Sequence, residues 1–200
     1  MRVILIGATG TIGREVAKAL QADHEVVTAG RSSGEFSVDI AEPDTIEAMF
    51  RQAGRFDAVV CTAGAAKFGP LADLSHDDYL FSLRNKLMGQ VNLVRIGHSY
   101  ISENGSFTLT SGILAKEPMP GSSAISMVNA GLEGFVRAAQ LELERGVRVN
   151  VVTPVWVAET LKALGRDPAG GMPATQVARA YLASVTGAMR GMVLDVRDYV

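Results

Sequence analysis

Residues 2–13 read RVILIGATGTIG: apolar side chains on consecutive positions, then glycines at 7, 10 and 13. Consecutive rather than alternating apolar residues predict a strand buried on both faces. A helical period starts at Ile12, so the glycines fall in the turn between strand and helix. Glycine there lets backbone amides approach a pyrophosphate, and the helix N-terminus directs partial positive charge towards it. Gly7, Thr9, Gly10, Thr11, Ile12 and Gly13 are therefore candidate contacts at the phosphate end of a dinucleotide site. A tight turn without a ligand is the competing reading.

The same alternation continues outward. Strands are predicted over Arg2–Ile6, Glu25–Ala29, Phe36–Asp39, Ala58–Thr62, Ser106–Thr110, Arg148–Thr153 and Met192–Val196. Helices are predicted over Ile12–Gln21, Asp44–Ala53, Ser75–Ser102, Ser122–Arg145 and Ala174–Gly187. Two helix starts carry their own caps, Asp44 with Glu47 and Ser75 with Asp78. AVVC at 58–61 repeats the both-face pattern of VILI, so helices must cover both sides of a parallel sheet. The expected fold is α/β, a three-layer Rossmann-like doubly wound sheet of about seven strands, as a single domain over residues 1–200.

Composition narrows the function classes. Hydrophobic residues make up 48% of the chain and glycine 21 of its 200 residues, which excludes disorder and collagen-like fibre. Nineteen basic against 21 acidic side chains leave no excess for a phosphate backbone, so no nucleic-acid partner is expected. The lone Cys61 allows neither an internal disulfide nor a multi-cysteine metal site, and suits a reducing cytoplasm. His24, His76 and His98 are scattered, so no metal is expected. The apolar stretch at the start stops at Gly7, too short for a signal-peptide core or a membrane span, and a soluble cytoplasmic protein is expected. Neither GxSxG nor HExxH occurs, which argues against a familiar hydrolase.

Beyond the second strand stand Arg31, Ser32 and Ser33, where a free ribose hydroxyl would call for an acid. A guanidinium with hydroxyls suits a 2′-phosphate, so NADP(H) is the expected cofactor. Arg31 also reads as a solvated surface arginine. Asp39 ends the third strand at the same edge, placed either to accept from an adenine amino group or to cap the turn into 41–44.

The order and spacing of GATGTIG (7–13), VDI (38–40), CTAG (61–64), LMGQVNL (87–93), TLTSG (108–112), AGLEGFVRAAQLEL (130–143) and GVRVNVVTP (146–154) resemble the short-chain dehydrogenase/reductase family over nearly the whole chain. The resemblance implies a Rossmann-like fold that binds NAD(P), in a homodimer or homotetramer packed through the two long helices. It implies that Asp39, Ile40, Ala63, Gly64 and Pro154 join the cofactor contacts, with Ala63 and Gly64 along the adenine ribose.

The family's catalytic pattern is not met. Its YxxxK positions fall on Ile125 and Asn129, and no YxxxK occurs anywhere in the chain. The serine position falls at Gly112 by strict spacing, leaving neighbouring Ser111 as the candidate survivor or an ordinary turn residue. Anchoring on Gly89 puts Lys86 at the family's asparagine position, as if lysine and asparagine were exchanged between two helices. Lys86 then reaches a nicotinamide ribose or a substrate oxyanion, partnered by Asn129; the other readings are a lysine snorkelling to solvent and a one-residue slip that retains Asn85. Among other proton donors, Ser111, Ser122, Ser123 and Ser126 are poor acids, whereas Lys86 or Lys116 would serve with a pKa lowered by desolvation.

The last crossover departs too, with Pro154 and Val155 where the family has PG and Thr160 as the next threonine. Seventeen residues separate Trp156 from Ala174, short for the family's substrate lid. Trp156 either walls a small pocket or packs beneath that loop. The chain thus reads as an NADP(H)-binding oxidoreductase for a small carbonyl or hydroxyl compound with a non-standard active site. The alternatives are a non-catalytic redox-sensing module and a structural dimer holding cofactor for stability.

Overall fold

The computed structural model describes residues 1–200. Alternate residues of β1 (Arg2–Ile6) enter opposite cores: Ile4 and Ile6 on one face of the sheet, Val3 and Leu5 on the other. In β4 (Phe56–Cys61), Val59 and Cys61 join the first core and Ala58 and Val60 the second. This is the physical content of the uninterrupted apolar runs: a strand sandwiched between helices has no face to give to water.

The remaining elements complete the layers. They are α1 (Thr11–Gln21), β2 (Glu25–Gly30), β3 (Phe36–Ser37), α2 (Pro43–Ala53), α3 (His76–Ser82), α4 (Gly89–Gly97), β5 (Ile101–Thr110), α5 (Ser123–Ala139), β6 (Arg148–Thr153), α6 (Ala158–Ala163), α7 (Ala174–Thr186) and β7 (Val193–Asp195). The seven strands form one parallel sheet in the order β3-β2-β1-β4-β5-β6-β7. Side chains of α2, α4 and α5, among them Phe50, Leu93 and Leu132, fill one core, and α1 and α7 cover the other with Val16, Leu20, Val177 and Tyr181. The doubly wound, Rossmann-like expectation is met. No helix is long and apolar enough to cross a membrane.

Several boundaries differ from the sequence-based expectation. The helix expected over Ser75–Ser102 is α3, then a π-helical turn over Leu83–Met88, then α4, ending at Gly97. A Cβ at Gly97 would press on Phe107 and Phe50, and the chain turns there into β5, where Ile101 pairs with Phe56 ahead of a register shift. The helix expected over Ser122–Arg145 starts after an N-cap at Ser122 and stops at Ala139; Arg145 has a φ of 54° and Gly146 one of 72°, which no helix continues. Asp44 does not cap α2: the N-cap is Glu42 with Pro43 at the first position, and Asp44 lies in the first turn. Ser75 and Asp78 do form the reciprocal capping box. The stretch after Trp156 holds the unanticipated α6 and a bridge from Val157 to Met172.

Candidate active site

Strand order runs away in both directions from the β1–β4 pair, whose last residues, Ile6 and Cys61, lie side by side. Turns leaving such neighbouring strands in opposite directions open a crevice at their carboxyl ends. Two clefts flank the Gly7–Gly13 turn there.

The turn is built by backbone contact. Gly7 has a φ of 89°, its N–H donates to the Ala29 carbonyl at 3.0 Å, and its own carbonyl accepts from Gly10 N–H at 3.1 Å. A Cβ at Gly13 would collide with that same Gly7 carbonyl, so only glycine lets the first turn of α1 sit this close to the strand end. Gly10 is the N-cap of α1 and Thr11 its exposed first residue.

The first cleft, about 460 Å³, is walled by Gly7, Thr9, Arg31, Ser32, Asp39, Ile40, Ala63 and Gly64, eight of the residues expected at the cofactor. Asp39 Oδ1 accepts from Ala41 N–H at 3.0 Å, so the turn-capping reading holds, while Oδ2 faces the Arg31 guanidinium at 4.0 Å. Arg31 is exposed at the cleft edge. Asn85 also lines this cleft, its Oδ1 accepting from Ala65 N–H at 2.8 Å.

The second cleft, about 560 Å³, lies on the other side and is walled by Ile12, Thr62, Lys86, Ser111, Ile125, Asn129, Pro154, Trp156, Thr160 and Arg166, together with further apolar residues. Lys86 is 8% exposed, which overturns the snorkelling reading. It lies in the π-helical turn, where Asn85 lines the first cleft and Lys86 the second. The Lys86 ammonium donates to the Ser111 carbonyl at 3.1 Å, and its stem lies against Gly64. Burial lowers its pKa from 10.5 to about 8, with Cys61 opposing slightly.

Asn129 is 1% exposed; its Nδ2 lies 3.4 Å from the Gly112 carbonyl and its Oδ1 has no hydrogen-bond partner. The Ser111 hydroxyl shares its one proton between the Asn129 carbonyl at 3.2 Å and Glu133 Oε1 at 3.3 Å. Glu133, which the sequence reading missed, is a buried carboxylate that also accepts from Thr153 Oγ1 at 3.4 Å and pairs with Arg137 at 3.6 Å. Its one available signal was the i+4 spacing from Asn129 along α5.

Lys116 is exposed and lines neither cleft; the Ser122 hydroxyl accepts from Met119 N–H and from the Ser126 hydroxyl, and Ser123 pairs with Tyr79. Trp156 walls the second cleft, so it does not simply pack beneath the loop. No cluster of His, Cys, Asp or Glu is arranged to hold a metal ion.

A parallel doubly wound sheet, a glycine turn against its switch point and paired clefts define a dinucleotide-type α/β protein. The family model described as enoyl-(acyl carrier protein) reductase matches residues 7–188, and the chain belongs to the short-chain dehydrogenase/reductase family. It is similar to the protein lin1944 of Listeria innocua, with 39% identity, coverage of 98% of this chain and 99% of that one, and a TM-score of 0.95. It is also similar to a small-chain dehydrogenase solved in complex with NADPH, at 28% identity over 98% of this chain and 95% of the other, with a TM-score of 0.86. Among curated proteins it resembles hydroxynaphthalene reductase arp2 of Aspergillus fumigatus, 28% identical over an alignment of 158 residues that covers 76% of this chain and 55% of that protein. The chain spans about half the length of the first curated relatives that it matches.

Proposed function

We propose that this chain is an NADP(H)-dependent oxidoreductase for small carbonyl or hydroxyl compounds, with Lys86 as its proton donor. The observation that carries the reading is the Lys86 ammonium, buried in the wall of the second cleft and hydrogen-bonded at 3.1 Å to the Ser111 carbonyl. The cradle fits the cofactor: Gly7 and Gly13 leave no room for side chains, and the relative of similar size binds NADPH. Gly7, Thr9, Gly10, Thr11, Ile12 and Gly13 would hold the pyrophosphate, and Arg31 and Ser32 a 2′-phosphate. Asp39, Ile40, Ala63 and Gly64 would line the adenosine half and Pro154 the nicotinamide end.

When bound, NADPH supplies the hydride for the carbonyl carbon. The chain then has to supply one proton to the carbonyl oxygen. A pKa near 8 leaves Lys86 protonated at neutral pH yet able to release its proton, as a general acid requires. Ser111 acts through its carbonyl, which orients the ammonium. Asn129 stands beside them in the wall of the cleft, its Nδ2 directed at the Gly112 carbonyl.

The test is calorimetric titration with NADPH and NADH, followed by NADPH consumption over a panel of small carbonyls and quinones. Preferential NADPH binding with turnover that Lys86→Met lowers about 10²–10⁴-fold is expected. Tight NADPH binding without turnover would favour the redox-sensing alternative, and no binding of either nucleotide would overturn both.

A further inference from the structure

The second cleft contains cations and no carboxylate. Its wall is mostly apolar, from Ile113, Leu114, Ile125 and Trp156 among others, and its charged groups are Lys86 and Arg166 alone. Neither enters any ion pair in the structure. Arg166 sits on the short loop after α6, its guanidinium carbon 5.8 Å from the centroid of the Trp156 ring. The neighbouring Asp167 carboxylate is taken up by the Ala169 N–H at 2.9 Å. An arginine laid on an aromatic face keeps its donors free for a planar anion.

We infer that the cleft selects an apolar, aromatic or long-chain compound bearing a carboxylate, which Arg166 binds at the rim while the apolar wall holds the body of the molecule. This rests on the functional reading above and names the substrate class of the same site. Charge complementarity carries it: an anion entering a mostly apolar cleft with unpaired cations and no opposing carboxylate gains a charge-assisted hydrogen bond that a neutral analogue lacks. Thr160 and Leu164, from the same segment, complete the wall that such a ligand would touch.

Trp156 is the only tryptophan in the chain, so its emission reports occupancy of this cleft. The protein, with and without saturating NADP⁺, is titrated with 2-naphthoic acid and with methyl 2-naphthoate while intrinsic fluorescence is followed. The acid is expected to bind at least about tenfold more tightly than the ester, the order of one charge-assisted hydrogen bond. Arg166→Met should erase that ratio, Arg166→Lys should retain part of it, and NADPH affinity measured by calorimetry should stay the same in both variants. An ester that binds as well as the acid, binding of neither compound, or an unchanged ratio in Arg166→Met would overturn the inference. Failure to bind NADPH would instead strike the functional reading, and the acid-to-ester ratio without cofactor would still be readable.

Discussion

The ammonium of Lys86 lies 3.1 Å from the carbonyl oxygen of Ser111, joining the π-helical turn to the end of β5 at the wall of the second cleft. The contact places a buried cation in a cleft that no tyrosine lines.

Lys86→Met should reduce turnover about 10²–10⁴-fold, the usual cost of losing a general acid, without unfolding the protein. Steady-state rates and melting curves on the same preparation check this. A variant that turns over like the wild type would remove Lys86 from the reaction.

The pH dependence of carbonyl reduction follows from the lysine's lowered pKa of about 8. The protonated form is the donor, so kcat should fall as pH rises through about 8. Stability moves the other way. Between about 8 and the ordinary 10.5 the unfolded chain holds a proton that the folded lysine has lost, so this group's contribution to stability rises with pH across that window. Cys61 opposes it: burial pushes its thiol from 9.0 up to about 12, so its contribution is complete below 9.0 and is lost as pH rises towards about 12. Denaturation curves of wild type minus Lys86→Met, taken at several pH values, isolate the lysine.

Arg31→Ala should weaken NADPH binding by about tenfold or more and leave NADH nearly unchanged, because the charge-assisted contact exists only with a 2′-phosphate. Equal losses for both nucleotides in calorimetry would show that Arg31 serves its 4.0 Å pairing with Asp39 instead.

Gly13→Ala should destabilise the fold by about 1–3 kcal/mol, because its Cβ meets a backbone carbonyl that cannot move aside. Gly134→Ala is the matched control: on α5, with nothing within 4 Å of the added carbon, it should stabilise by about 0.5–1 kcal/mol. Urea midpoints of the pair check the sign of each.

Exposed Leu80, Met88 and Met127 lie along α3 to α5, and association through these helices predicts a dimer or tetramer in light scattering at micromolar concentration. A monomer mass would refute it. Val91 and Val94 of α4 are buried within the chain's own fold and contribute nothing to that surface.

The sheet and its phosphate-side turn were legible because their signals are local. VILI and AVVC report burial on both faces, and the glycine spacing reports a strand meeting a helix. Helix ends were less legible. Nothing local in Ser99 to Ser102 favours strand over helix until Ile101 finds Phe56 across the sheet, and Glu142 to Arg145 looked helical until the left-handed turn at Arg145 and Gly146.

Residues 1–64 therefore read as the first four strands of a Rossmann-like sheet and as the side of it expected to meet a cofactor, as strand period and glycine placement depend on neighbours in the chain. The active side depended on the packed fold. The π-helical turn over Leu83–Met88, read from the sequence as regular helix, carries Asn85 on one cleft and Lys86 on the other. Burial then lowers the lysine's pKa, and the loop after α6 brings Arg166 over Trp156, ten residues earlier in the chain. Desolvation and the meeting of separate segments are properties of the closed structure, which is why the sequence offered Lys86, Ser111 and Asn129 with their alternatives open and only the packed fold buried the lysine in one cleft wall.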